Sequence, residues 1–268
     1  MLASLPMYDL PELRWATDAL WRSVAHRVGI AIELHRCADH TAAWRSPDLV
    51  LSQTCGYPFT HAYRAALQLV ATPHYRAPGC NGPAYCSLIF ARERRPLETF
   101  RGQRAAFNSP DSMSGMLALK AVFAPLARDG EFFSAAIVAG GHIGSLDCVR
   151  SGQADVCAVD AVTAALLARH RPSALNGLIE IGRSPEIPAL PYVTALTTAP
   201  ADVKRLRQAL NAAIADPLLA KACDALLIAG ITQLAPQHYD VILTLEQQIE
   251  AQGGLALPPP PIHRNPMQ

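Results

Sequence analysis

The chain carries almost no net charge. Its 23 Lys and Arg residues stand against 22 Asp and Glu, leaving +1 at pH 7. A surface so balanced offers no basic footprint for nucleic acid, which is excluded as a partner. Long apolar runs are also missing, and none reaches the roughly 20 residues that span a bilayer. No leader pattern is visible: MLASLPMYDLPEL lacks a basic segment followed by an apolar one and reads as a strand entering the fold. A native start at Met1 would place the protein in the cytoplasm, and a trimmed mature form would place it in the periplasm. The seven cysteines form no CxxC pair and no Cys/His cluster with zinc-ligand spacing, so neither metal nor cofactor is expected. Most read as small buried hydrophobes. Cys55 and Cys80 lie in loop-like TCGYP and APGCNGP, where an oxidising compartment would allow a disulfide. No internal repeat is present.

What the chain does have is alternation. Half of its 268 residues are hydrophobic, enough for one large domain or two modest ones, each burying its own core. Apolar runs at 2–8, 48–53, 67–73, 85–91, 103–107, 134–140 and 155–160 read as strands buried on both faces. Amphipathic stretches at 11–28, 114–127, 145–152 and 161–170 read as helices between them. The pattern predicts an α/β fold with mainly parallel sheets. After PYVTALTTAP (191–200) the character changes to three successive helices without intervening strands, ADVKRLRQALNAAIAD, PLLAKACDALLIAG and YDVILTLEQQIEAQ. The closing PPPPIHRNPMQ reads as an extended, mobile tail. Two Pro-bearing transitions, IFARERRPLE (89–98) and RSPEIPALPYV (183–193), read as crossings between sheets. They divide the chain into a discontinuous lobe, 1–90 plus 192–268, and a second lobe, 91–191, as in a hinge-bending binder.

FNSPDSMSG (107–115) is the most informative segment, because it leads from a strand straight into a helix. Ser112, Ser114 and Gly115 then sit where the first backbone N–H groups lack partners and the helix dipole is positive, a site suited to an anion. A plain capping role for Ser112 or Ser114 competes with that reading. Other strand ends bring Tyr8, Gln53, Tyr57, His142 and Asp160 to positions where open α/β sheets bind ligands. His142 at a helix start can donate to an anion, more strongly when protonated. Asp160 suits an anion only if the ligand also carries an amine or a retained proton, and it reads equally as a helix N-cap. The two tyrosines read equally as half-buried aromatics.

AFNSPDSMSG, GGHIGSLDCVRSGQADVCAVDAVT and RSPEIPALPYV together resemble the phosphonate- and phosphate-type substrate-binding proteins of ABC importers. LSQTCGYP and APGCNGPAYCS extend the resemblance over the first lobe. It implies a two-lobed type II periplasmic-binding-protein-like fold with two crossover strands and C-terminal helices. It assigns the anion's oxygens to Ser112, Ser114 and His142, and the ligand's amine or hydroxyl to Asp160. Met113 and Gly115 fall inside the same turn, and aromatic contacts fall on Tyr8, Tyr57 and Tyr85. Two departures stand out: Met113 replaces a hydroxyl residue, and Gly141 replaces the serine before the histidine.

The expected function is a non-catalytic binding protein that closes on a small oxyanion-containing ligand, a phosphonate, phosphate ester or similar. It would serve transport or sensing, with an ABC transporter membrane component as a candidate partner, and would exist as a monomer or weak dimer. The alternative is an intracellular enzyme of cofactor or metabolite biosynthesis on the same scaffold, with His142 and Asp160 as the candidate acid/base pair.

Overall fold

Strand-forming segments recur early in the chain, and the first of them build one mixed sheet. A computed structural model describes residues 1–36 and 39–260; Cys37 and the tail from 261 onward lie outside the described residues. The chain divides into two compact units: Met1–Tyr85 with Ala161–His170 and Glu186–Leu243, and Cys86–Asp160 with Arg171–Pro185 and Thr244–Gln268. The breaks near the expected crossings thus fall at Tyr85 and Pro185.

The first unit holds a five-stranded sheet in the order Leu2–Ser4, Leu49–Gln53, Tyr192–Ala195, Leu67–Tyr75, Ile228–Thr232. Leu2–Ser4 and Leu49–Gln53 run parallel, whereas Tyr192–Ala195 is antiparallel to both its neighbours. The expected mainly parallel sheet is therefore mixed, because a returning strand enters between two outgoing ones. Helix Arg14–Val28 buries Leu20, Trp21, Val24 and Val28 at helical spacing. It ends at Gly29, whose φ of 75° is the left-handed conformation a helix C-terminus favours. Helix Pro200–Ile214 buries Val203, Leu206, Leu210 and Ala213 in the same manner.

The second of the three expected C-terminal helices is only partly helical. Ala220–Ala225 is helix, but Leu227 turns into the left-handed region (φ 58°) and Ile228–Thr232 becomes a strand antiparallel to Leu67–Tyr75. An apolar run of this length fits either state, and pairing with a neighbouring strand decided it. Likewise the expected strand at 85–91 is two: Ala84–Tyr85 joins a small sheet with Cys80–Asn81 and Ile187–Pro188, and Ser87–Ala91 belongs to the second unit. No disulfide joins Cys55 to Cys80.

The second unit holds a five-stranded sheet ordered Ile179–Arg183, Ser87–Ala91, Val156–Asp160, Arg104–Phe107, Ala135–Val138. Arg104–Phe107 runs parallel to both its neighbours, and Ser87–Ala91 runs antiparallel to Val156–Asp160. Asp155 ties the far ends of these strands together. Its carboxylate accepts from Arg92 Nη2 at 2.9 Å and from the Arg104 backbone N–H at 3.0 Å. The C-terminal segment covers the outer edge of Ala135–Val138, with Ala136 N–H donating to Pro258 O at 2.6 Å. Among the described residues no helix is long and apolar enough to cross a membrane.

Candidate functional site

In the second unit, the parallel pairing of Arg104–Phe107 with Ala135–Val138 and Val156–Asp160 has a direct consequence. Whatever follows these three strands gathers along one sheet edge: residues 108–115, residues 139–142, and Asp160. The chain turns after Phe107 through NSPD and starts a helix with one π-helical turn, Met113–Leu117, continuing as Ala118–Phe123. Leu117 N–H reaches back to Ser112 O at 3.0 Å. Single π-turns of this kind cluster at functional sites.

The two serines have different jobs. Ser112 is the N-cap: its Oγ accepts from Gly115 N–H at 2.9 Å. The capping role therefore holds for Ser112, and its hydroxyl proton remains available. Ser114 is not a cap; its Oγ lies 2.9 Å from His142 Nε2. Met113 is 1% exposed, so its side chain belongs to the core and only its backbone faces the turn. Gly115 leaves room for Asn108. A Cβ there would fall 1.8 Å from Asn108 Oδ1.

His142 opens helix His142–Arg150, whose N-cap Gly141 supplies no side-chain hydrogen bond. The first N–H groups of this helix are thus left for another acceptor. Gly144 permits the tight entry, since a Cβ there would sit 2.4 Å from Ala139 O. The His142 ring lies beside the Ala158 backbone, and its enclosed Nδ1 makes no hydrogen bond of good geometry. Burial pushes its pKa down from 6.5 to about 4, so the imidazole is neutral at pH 7. His142, expected to donate to an anion more strongly when protonated, is thus a neutral imidazole at pH 7, and its tautomer sets whether Nε2 donates to Ser114 Oγ or accepts from it. Asp160 is 1% exposed, closes its strand, and lies opposite Ser87.

No lysine or arginine stands between positions 107 and 119 or between 138 and 149. Positive potential here comes from two helix starts and from hydroxyl and imidazole donors. Asn108 was not singled out from the sequence, although it lies within FNSPDSMSG. Its Oδ1 is buried without a partner. The signal was the Asn-Ser-Pro turn itself, which reads as turn chemistry rather than as a site.

The other expected residues belong to the first unit. Tyr8 takes a left-handed backbone (φ 62°) and meets Tyr75 edge-to-face at 5.3 Å. Gln53 is buried, and its Nε2 donates to Tyr75 Oη at 2.9 Å and to Leu190 O at 3.0 Å. Tyr8, Gln53, Tyr75 and Tyr192 line one small cavity. Tyr57 stacks on His61 at 3.8 Å, one helical turn away. Tyr85 is 1% exposed in its short strand. Among the described residues no group of three or more His, Cys, Asp and Glu side chains is placed to hold a metal ion.

Residues 2–239 match the family described as ABC transporter, phosphonate, periplasmic substrate-binding protein. The chain belongs to this family. It is a solute-binding component of ABC transport. Solved structures agree in fold, which is the type II periplasmic-binding-protein fold. PhnD1 from Prochlorococcus marinus, in complex with methylphosphonate, superposes with a TM-score of 0.76 at 15% identity, covering 93% of this chain and 98% of that one. A binding-protein component of an ABC phosphonate transporter from Pseudomonas aeruginosa also gives 0.76, at 16% identity, covering 94% and 87%. XAC2383 from Xanthomonas citri, bound to ATP, gives 0.70 at 17% identity, covering 94% and 97%. No curated protein sequence matches the chain.

Proposed function

We propose that this member of the family binds a small phosphonate or related phosphorus oxyanion at the edge built from Ser112, Ser114, Gly115 and His142. The observation that carries the reading is the 2.9 Å contact between Ser114 Oγ and His142 Nε2, each at the start of its own helix. Two hydrogen-bonding side chains from two helix starts then meet at one point, which suits the tetrahedral oxygens of a phosphoryl group. Asp160 acts as a filter. A buried carboxylate repels a fully ionised ligand and favours one carrying an amine, a hydroxyl or a retained acidic proton. Within the first unit, Gln53 holds Tyr75 in place. The protein acts as a monomer or weak dimer and hands its ligand to the transporter's membrane component.

Calorimetric titration with methylphosphonate and with inorganic phosphate tests this. Saturable binding that weakens in Ser114→Ala supports the reading; binding of neither compound, or no loss in the variant, overturns it.

A further inference from the structure

Asn108 follows directly on strand Arg104–Phe107, between the strand end and the capping Ser112. Its side-chain oxygen is in an unusual position. Oδ1 is fully buried and has no hydrogen-bond partner, although amide oxygens in protein interiors are nearly always paired. It is wedged against the backbone of Gly115, at the point where any other residue at 115 would place its Cβ. That Cβ would meet Oδ1 at 1.8 Å, Cγ at 2.9 Å and the Asn108 backbone N at 3.1 Å. The glycine and the asparagine are therefore fitted to each other within the turn that carries Ser112 and Ser114.

An orphaned buried oxygen is destabilising, and a serine, alanine or glycine at 108 would avoid the cost. The other half of the carboxamide explains why an amide stands there. With Oδ1 held against Gly115, Nδ2 occupies the other branch of the planar carboxamide, and its two N–H donors make none of the described side-chain hydrogen bonds. We infer that Asn108 is a further ligand-binding residue of this site, its Nδ2 group donating to an oxygen of the bound anion. This rests on the oxyanion reading above and adds to it a neutral, pH-independent donor. The donor compensates for the absence of lysine and arginine from 107–119 and for the methionine at 113. The Oδ1–Gly115 contact sets the direction of the donor, as a second contact must for any side chain that is to meet a ligand at fixed geometry.

The test is calorimetric titration of the wild type, Asn108→Ala and Asn108→Asp with methylphosphonate and with inorganic phosphate, alongside thermal melting of each protein. Removing the donor is expected to weaken binding of both probes by tenfold or more. Placing a carboxylate there is expected to weaken it at least a hundredfold. The melting temperature of Asn108→Ala should not fall, because the orphaned oxygen leaves with the amide. If the wild type binds and both variants bind within twofold of it, Asn108 only packs against Gly115 and the inference is overturned. If the wild type binds neither probe, the oxyanion reading itself fails and the inference fails with it. Should Asn108→Asp not fold, Asn108→Ala alone still decides between donor and packing.

Discussion

Acidification should destabilise this protein through His142 before most carboxylates are protonated. The folded protein holds the imidazole at a pKa of about 4, whereas the unfolded chain titrates near 6.5, because the enclosed ring cannot easily carry a charge. A group whose folded pKa is depressed contributes stability above its unfolded pKa and loses it as pH falls through the folded value. The window here runs from about 6.5 down to about 4. At about 1.36 kcal/mol per tenfold change in proton affinity, the full loss comes to about 3 kcal/mol, a large share of the roughly 5–15 kcal/mol that holds a typical domain together. The assay is urea unfolding at several pH values between 7.5 and 4, on the wild type and on His142→Gln, which keeps a polar side chain but does not titrate. The wild type should lose about 3 kcal/mol more than the variant across that window. Parallel stability curves for the two proteins would refute the argument, for they would mean that His142 is as easily protonated in the folded state as in the unfolded one.

Ser114→Ala should weaken methylphosphonate binding by about 1.5–3 kcal/mol, the value of a hydrogen bond to a charged group, as read by calorimetry. Bound anion should raise the pKa of His142, so affinity should grow as pH falls from the complex's His pKa towards about 4 and level off below it; His142→Gln should flatten that rise. Asp160→Asn should lose affinity for the true ligand while gaining relative affinity for simple dianions, and an unchanged ranking of ligands would leave Asp160 no filtering role. Gly115→Ala should lower the melting temperature because its Cβ overlaps Asn108 Oδ1, and Asn108→Ala in the same chain should restore most of the loss.

The strand ends and helix starts that frame the site were legible in the sequence because each has a local cause. An apolar run ends, a serine or glycine follows, and an amphipathic run begins. Helix Ala161–His170 matched its expected span, and Arg104–Phe107 and Val156–Asp160 came within a residue of theirs. Ile228–Thr232 was missed because LLIAG is apolar enough for either state, and only its pairing with Leu67–Tyr75 makes it a strand. Strand direction was missed for a similar reason: nothing local in PYVTA says that Tyr192–Ala195 will run antiparallel between two neighbours. The charge state of His142 depends on how closely the rest of the chain encloses it, which no motif encodes. Asn108 was hidden by its company, since Asn-Ser-Pro is ordinary turn chemistry until Gly115 is seen against its oxygen.

If Ser114 and His142 together hold the ligand's oxygens, a crystal structure of the protein grown with methylphosphonate will show it. Phosphonate oxygens should then lie at about 2.5–2.9 Å from both Ser114 Oγ and His142 Nε2. A phosphonate bound elsewhere, with the Ser114–His142 contact still at its present 2.9 Å and nothing beside it, would mean that these two side chains do not hold the ligand.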